Sequence, residues 1–194
     1  MHNYTNEKRK MSEAKRLCQK RNFKAAEKIY LQLIKDSNRK SKFSLFALAK
    51  LKIRFRKYNE AKSLLEECIK LDPKNCYAIL ELGKIYVKQN KFKEAEKLFK
   101  EYIALDPKGL HPRLELGKLY VLQNKQQEAE KLFKEYIALD PRGLHPNLEL
   151  GKLYVIQNKQ QEAENLFKEC IKLDPKDSYV RLELGKLYVI ENKI

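Results

Sequence analysis

An all-α solenoid of stacked antiparallel helix pairs is the fold class that the sequence predicts, and three observations predict it. Gly83, Gly117, Gly151 and Gly185 recur at intervals of 34 residues, as do Pro73, Pro107, Pro141 and Pro175, and a fixed period of that length marks a repeat architecture. Within each period, apolar or small residues fall at i, i+3, i+4 and i+7, as in Ile79, Leu82, Gly83 and Tyr86, which is one stripe of a helix. Helix-stopping residues separate the stripes. Asn90, Asn124, Asn158 and Asn192 suit the left-handed conformation that ends a helix, and each Asp-Pro pair closes the next one because proline disfavours a helical residue before it.

The elements follow in order. Residues 1–6 form an extension and 7–41 a divergent basic repeat that keeps Ala14, Leu17, Ala26, Tyr30 and Leu33, with Asn38 in place of the proline and one extra residue. Residues 42–75 keep Leu48, Ala49, Ala61, Leu65 and Pro73 but place Lys52 where an aromatic belongs. Three near-copies follow at 76–109, 110–143 and 144–177: the first two share 25 of 34 positions and the last two share 27 of 34. Residues 178–194 are half a repeat or a capping helix, whose Leu184, Leu187 and Tyr188 lack a second helix and so predict packing against another copy of the chain. A helix pair of this size buries its apolar surface only by stacking on neighbours.

Leu82, Gly83, Tyr86, Ala95, Phe99 and Pro107 stand at repeat positions 7, 8, 11, 20, 24 and 32, and the set returns as Leu116, Gly117, Tyr120, Ala129, Phe133, Pro141 and as Leu150, Gly151, Tyr154, Ala163, Phe167, Pro175. This resembles the tetratricopeptide repeat. The resemblance implies about five repeats plus a terminal half-repeat in a right-handed superhelix, and a binding module or scaffold whose first helices line a concave groove. It further implies that positions 2, 5, 6, 9, 12 and 13 of each first helix face that groove.

Carried over on that basis, position 9 is lysine throughout: Lys15, Lys50, Lys84, Lys118, Lys152 and Lys186. Position 6 runs Ser12, Ala47, Glu81, Glu115, Glu149, Glu183. A glutamate three residues before a lysine pairs with it on one helix, so a self-neutralised, solvated groove stands beside a lysine row that reads acidic ligands. Position 5 (Leu80, Leu114, Leu148, Leu182) and position 12 (Val87, Val121, Val155, Val189) would add aliphatic rows open to water, and an exposed apolar strip marks a partner site. Position 2 supplies Phe43, Tyr77, His111, His145 and Tyr179, flat side chains for stacking or backbone contact. Equivalent positions in successive repeats lie roughly 10 Å apart, whereas a metal holds its ligands at about 2 Å, so the histidines read as helix-start residues before Pro112 and Pro146. The family's carboxylate clamp needs Asn at position 9 and Asn or Arg at position 6. This chain has neither, so chaperone-tail recognition is not expected.

The chain carries 42 Lys+Arg against 26 Asp+Glu, a net of +16. Residues 1–57 hold 18 of the bases and four of the acids, a net of +14, which leaves +2 for the rest. Lys8, Arg9, Lys10, Arg39, Lys40, Lys42, Arg54, Arg56 and Lys57, interleaved with Phe43, Phe55 and Tyr58, could neutralise phosphates and stack bases, or form a solubilising end cap. Cys18, Cys68, Cys76 and Cys170 form no C-x-x-C pair, which fits a reducing, cytoplasmic setting. No apolar run reaches the roughly 18 residues of a membrane span, so no membrane insertion is expected. No phosphate loop, H-E-x-x-H pair or nucleophile elbow is present. The expected function is therefore a non-enzymatic scaffold, without metal or cofactor, that binds an extended or helical acidic-apolar protein segment through Lys84, Lys118 and Lys152 and the leucines beside them. The alternatives are a nucleic-acid module using residues 1–57 and a peptide-sensing regulator.

Overall fold

In a computed structural model of the chain, which describes residues 2–38 and 40–190, the described residues form eleven α-helices and no strand. Two units divide them. Unit 1 (Met1–Leu98) contains α1 (His2–Gln19), α2 (Phe23–Asp36), α3 (Lys42–Arg54), α4 (Tyr58–Leu71) and α5 (Cys76–Lys88). The boundary falls within α6 (Phe92–Leu105). Unit 2 (Phe99–Ile194) continues with α7 (Leu110–Leu122), α8 (Gln126–Leu139), α9 (Leu144–Ile156), α10 (Gln160–Leu173) and α11 (Ser178–Ile190). In each unit a helix packs on the next in sequence, α1 on α2 through α4 on α5, and α7 on α8 through α10 on α11. In unit 2 the first helices of successive repeats also approach each other, α7 to α9 and α9 to α11; α1 and α3 do not do so to the same degree.

Turn chemistry fixes these lengths. Asn90, Asn124 and Asn158 take φ near +57°, the left-handed conformation expected of them, and Arg21 and Arg56 fill the same slot with φ 59° and 57°. Asn192 lies outside the described residues. At the other end Asp72, Asp140 and Asp174 leave the helical region and donate their N–H to Cys68, Tyr136 and Cys170 carbonyls. The extra residue of the first repeat sits in the turn before α3, which runs 37–41 against 72–75 before α5. Ser41 caps α3 there, accepting from the Ser44 N–H.

The core is the small-and-large pairing within each hairpin. Phe133 and Phe167 are fully buried, and a Cβ added to Gly117 or Gly151 would lie 2.4 or 2.6 Å from their rings. One expectation needs amending. Position 4, read as apolar from Ile79, holds buried Arg113 and Asn147 in unit 2. Arg113 donates to the Gly109 and Pro107 carbonyls at 2.7 Å, and Asn147 to the Gly143 carbonyl at 2.9 Å. Each buried polar group satisfies the turn that begins its own helix.

Candidate functional site

A groove of about 1350 Å³ runs between α1 and α3 in unit 1, with Phe23 and Tyr30 of α2 in its wall. Helix periodicity places its side chains. Lys8, Met11, Lys15 and Cys18 line it from α1, and Phe43, Phe46, Lys50 and Ile53 line it from α3, each set spaced i, i+3, i+7, i+10 along one helix face. Lys40, Lys42 and Arg54 complete the cationic lining. Glu7 is the carboxylate there, and it accepts a 2.6 Å hydrogen bond from the Ser41 hydroxyl. Lys42 Nζ is 2.8 Å from Asp72 and holds that carboxyl below its ordinary range, and the Arg54 guanidinium lies 4.5 Å from the Phe23 ring centroid. Lys50 stands 5.9 Å over Phe46. Lys8, Lys15, Lys40 and Lys50 form no ion pair among the described residues. Lys15 and Lys50 have no glutamate three residues before them, because position 6 is Ser12 on α1 and Ala47 on α3, where later repeats carry glutamate.

The later lysines differ in this respect. Lys84 lies 3.4 Å from Glu81, Lys152 3.2 Å from Glu149, and Lys186 2.8 Å from Glu183. Lys118 reaches across to Glu149 of the following repeat at 4.0 Å. Burial works against the Lys152 ammonium, but the charge and hydrogen bond of Glu149, with Tyr179 beside it, outweigh that and raise its pKa. Lys84, Lys152 and Lys186 thus pair with the glutamate three residues before them, as the spacing predicts, whereas Lys118 pairs with the glutamate of the following repeat.

The aliphatic strip is not open as expected. Leu80, Leu114 and Leu148 are 5, 8 and 6% exposed. Leu148 shows why, since it packs into one core cluster with Phe167, Val180 and Leu187, so the next repeat covers it. Leu182 remains 54% exposed, with no helix stacked beyond it among the described residues. Val87, Val121 and Val155 are half-buried, whereas His111 and His145 are exposed, and no group of three or more metal-ligating side chains occurs among the described residues. Phe43 and Tyr77 stand 69 and 70% exposed.

The basic cluster does not form one surface. Lys8, Lys40, Lys42 and Arg54 line the groove, but Lys10 pairs with Asp36 at 3.2 Å. Arg56 and Lys57 occupy the α3–α4 turn, where Lys57 lies 3.3 Å from Glu60. Arg9 is exposed on α1, and Arg39 lies outside the described residues. Sequence reasoning missed the position 5 side chains Met11 and Phe46, which supply the groove's apolar surface. It also missed position 13, where Leu122, Ile156 and Ile190 are 64, 54 and 61% exposed. The signal was available, because both positions belong to the groove-facing set.

These features define a helical-repeat protein with a cation-lined groove between α1 and α3 and with glutamate-paired lysines on the later first helices. The chain belongs to the tetratricopeptide repeat family: one family model of that description matches residues 52–111 and 90–147, and a second matches 145–177. Residues 20–76 match a model described as anaphase-promoting complex subunit 5. No curated protein sequence matches the chain. Among solved structures, the tetratricopeptide repeat protein TTC0263 of Thermus thermophilus is similar at a TM-score of 0.75 and 18% identity, covering 94% of this chain and 99% of that one. The pilF protein of Pseudomonas aeruginosa is similar at 0.83 and 16%, covering 99 and 87%. YrrB, described as having an unusual peptide-binding site, is similar at 0.69 and 19%, covering 91 and 90%. Identities this low establish the fold alone. Proteins built on this repeat generally mediate protein–protein interactions, and no helix among the described residues is long and apolar enough to cross a membrane.

Proposed function

We propose that this chain is a non-enzymatic, cytoplasmic scaffold that holds an acidic segment of a partner protein, anchored by apolar side chains, in its first-helix groove. One observation carries the reading: Lys8, Lys15, Lys40 and Lys50 face a groove with apolar walls and make no ion pair among the described residues. Cations of one sign in a concave, partly apolar site focus the field on an anionic partner and raise its on-rate. Lys84, Lys118, Lys152 and Lys186 are already paired with glutamates and lie outside this groove. The peptide-binding site for which YrrB is described offers a parallel on the same fold. Co-precipitation with the Lys15→Glu/Lys50→Glu variant tests the reading: protein partners held by the native chain are lost with it and kept by Lys118→Glu/Lys152→Glu.

A second reading has one observation in its favour. Phe43, 69% exposed beside Lys40 and Lys42, offers a base-stacking face among phosphate-neutralising groups. Bound material that vanishes on nuclease treatment would assign the groove to nucleic acid instead.

A further inference from the structure

Resting on the scaffold reading, we propose that the groove of unit 1 takes a helix: an acidic amphipathic helix of about three turns, contributed by a partner protein, laid along the gap between α1 and α3. The volume favours this shape. A helix about 10 Å across with a 5.4 Å pitch fills roughly 420 Å³ per turn, so 1350 Å³ holds about three turns, or about 11 residues over about 16 Å. The 18 residues of α1 and the 13 of α3 give walls of about 27 and 20 Å, long enough to flank it. The same residues in extended form would reach about 36 Å and overrun both walls. α1 and α3 also approach each other less closely than α7 and α9 do.

Wall chemistry specifies the sequence of the occupant. Met11 from α1 and Phe43 and Phe46 from α3 make an apolar surface, while Lys15 and Lys50, the same repeat position on the two helices, stand on opposite walls. A helix seated between them meets apolar surface along one stripe and an ammonium on either side. Its complement has leucine or phenylalanine at i, i+3, i+4 and i+7, with glutamate or aspartate flanking that stripe on both sides. Lys8 and Lys40 extend the cationic rim.

Two synthetic peptides of identical composition and about twelve residues test the inference. One is a Glu/Leu/Phe helix with an N-terminal proline, closed by a lactam between one lysine and the glutamate four residues away; the other has the same residues unbridged, with its proline moved to the centre. Fluorescence anisotropy against the full chain should show the bridged helix binding at micromolar affinity and the centre-proline peptide roughly tenfold weaker or worse. Lys15→Glu/Lys50→Glu and Phe46→Ala, with folding checked by circular dichroism, should each weaken the helix by roughly tenfold, whereas Lys118→Glu/Lys152→Glu leaves it unchanged. Equal binding of both peptides, lost together in Lys15→Glu/Lys50→Glu, overturns the helix and keeps the scaffold reading. Loss only in Lys118→Glu/Lys152→Glu overturns the location. Full competition of the helix by a dodecamer of deoxythymidylate at equal concentration overturns the inference in favour of a polyanion site. No binding by either peptide overturns this inference and the scaffold reading together.

Discussion

Gly117 and Gly151 occupy positions where one methyl group decides packing. A Cβ at either would enter the ring of Phe133 or Phe167, both fully buried, while a Cβ at Gly185 meets nothing within 4 Å. Gly117→Ala is therefore expected to cost about 1–3 kcal/mol by overpacking, and Gly185→Ala to stabilise by up to about 1 kcal/mol through helix propensity; urea unfolding of the two variants separates them. Arg56, at φ 57°, holds the slot that asparagine takes in three other repeats. Arg56→Asn should raise stability by about 0.5–1 kcal/mol on the same assay, because asparagine tolerates the left-handed conformation. The asparagine turns were legible in sequence, but Arg21 and Arg56 were not, since arginine carries no signal for positive φ. Burial also sorts the cysteines. It raises the Cys68 thiol and takes Cys170 up to about 11, so these two should react with a thiol reagent at neutral pH only on unfolding, well after the part-exposed Cys18.

At the scale of helices, α9 and α11 are each joined to the second helix of the repeat before by a tyrosine hydroxyl. Tyr154 donates to Glu130 at 3.2 Å and Tyr188 to Glu164 at 2.8 Å. In the second repeat Lys52 replaces the tyrosine: its Nζ lies 2.6 Å from Glu27 of the preceding repeat and also pairs with Glu60 of α4. Burial disfavours the Lys52 ammonium, but the two carboxylates outweigh it and raise its pKa, while Glu60 is lowered by the hydrogen bonds from Lys52 and Lys57. The signs give two edges. The Glu60 contribution is present above the ordinary carboxylate range and fades as pH falls through its lowered value; the Lys52 contribution fades only as pH rises through its raised value. Lys52→Met is expected to cost about 1–2 kcal/mol, at the low side for a buried pair because both glutamates stay partly solvated. It should also flatten the fall of the melting temperature on acidification; an unchanged acid limb would contradict the assignment. The repeat pattern marked Lys52 as a departure from the aromatic, but its partner stands 25 residues earlier, in a helix whose placement no local pattern supplies.

For the chain as a whole, charge divides along the sequence. The +14 of residues 1–57 against +2 for the remainder was plain from counting, and the helix pairs were plain from the 34-residue period. Which lysines keep their charge was half legible: Ser12 and Ala47 in place of glutamate mark Lys15 and Lys50, yet the reach of Lys118 to Glu149 depends on how α7 and α9 approach. The burial of Leu114 and Leu148 was not legible, because position 5 alone does not tell how closely the following repeat covers it. The central claim is that binding resides in the unpaired cations of the first two repeats. The most direct test is the affinity of an acidic, apolar-anchored peptide for the native chain, for Lys15→Glu/Lys50→Glu and for Lys118→Glu/Lys152→Glu. The account predicts a loss of roughly tenfold or more in the first variant and none in the second; a loss confined to the second would contradict it.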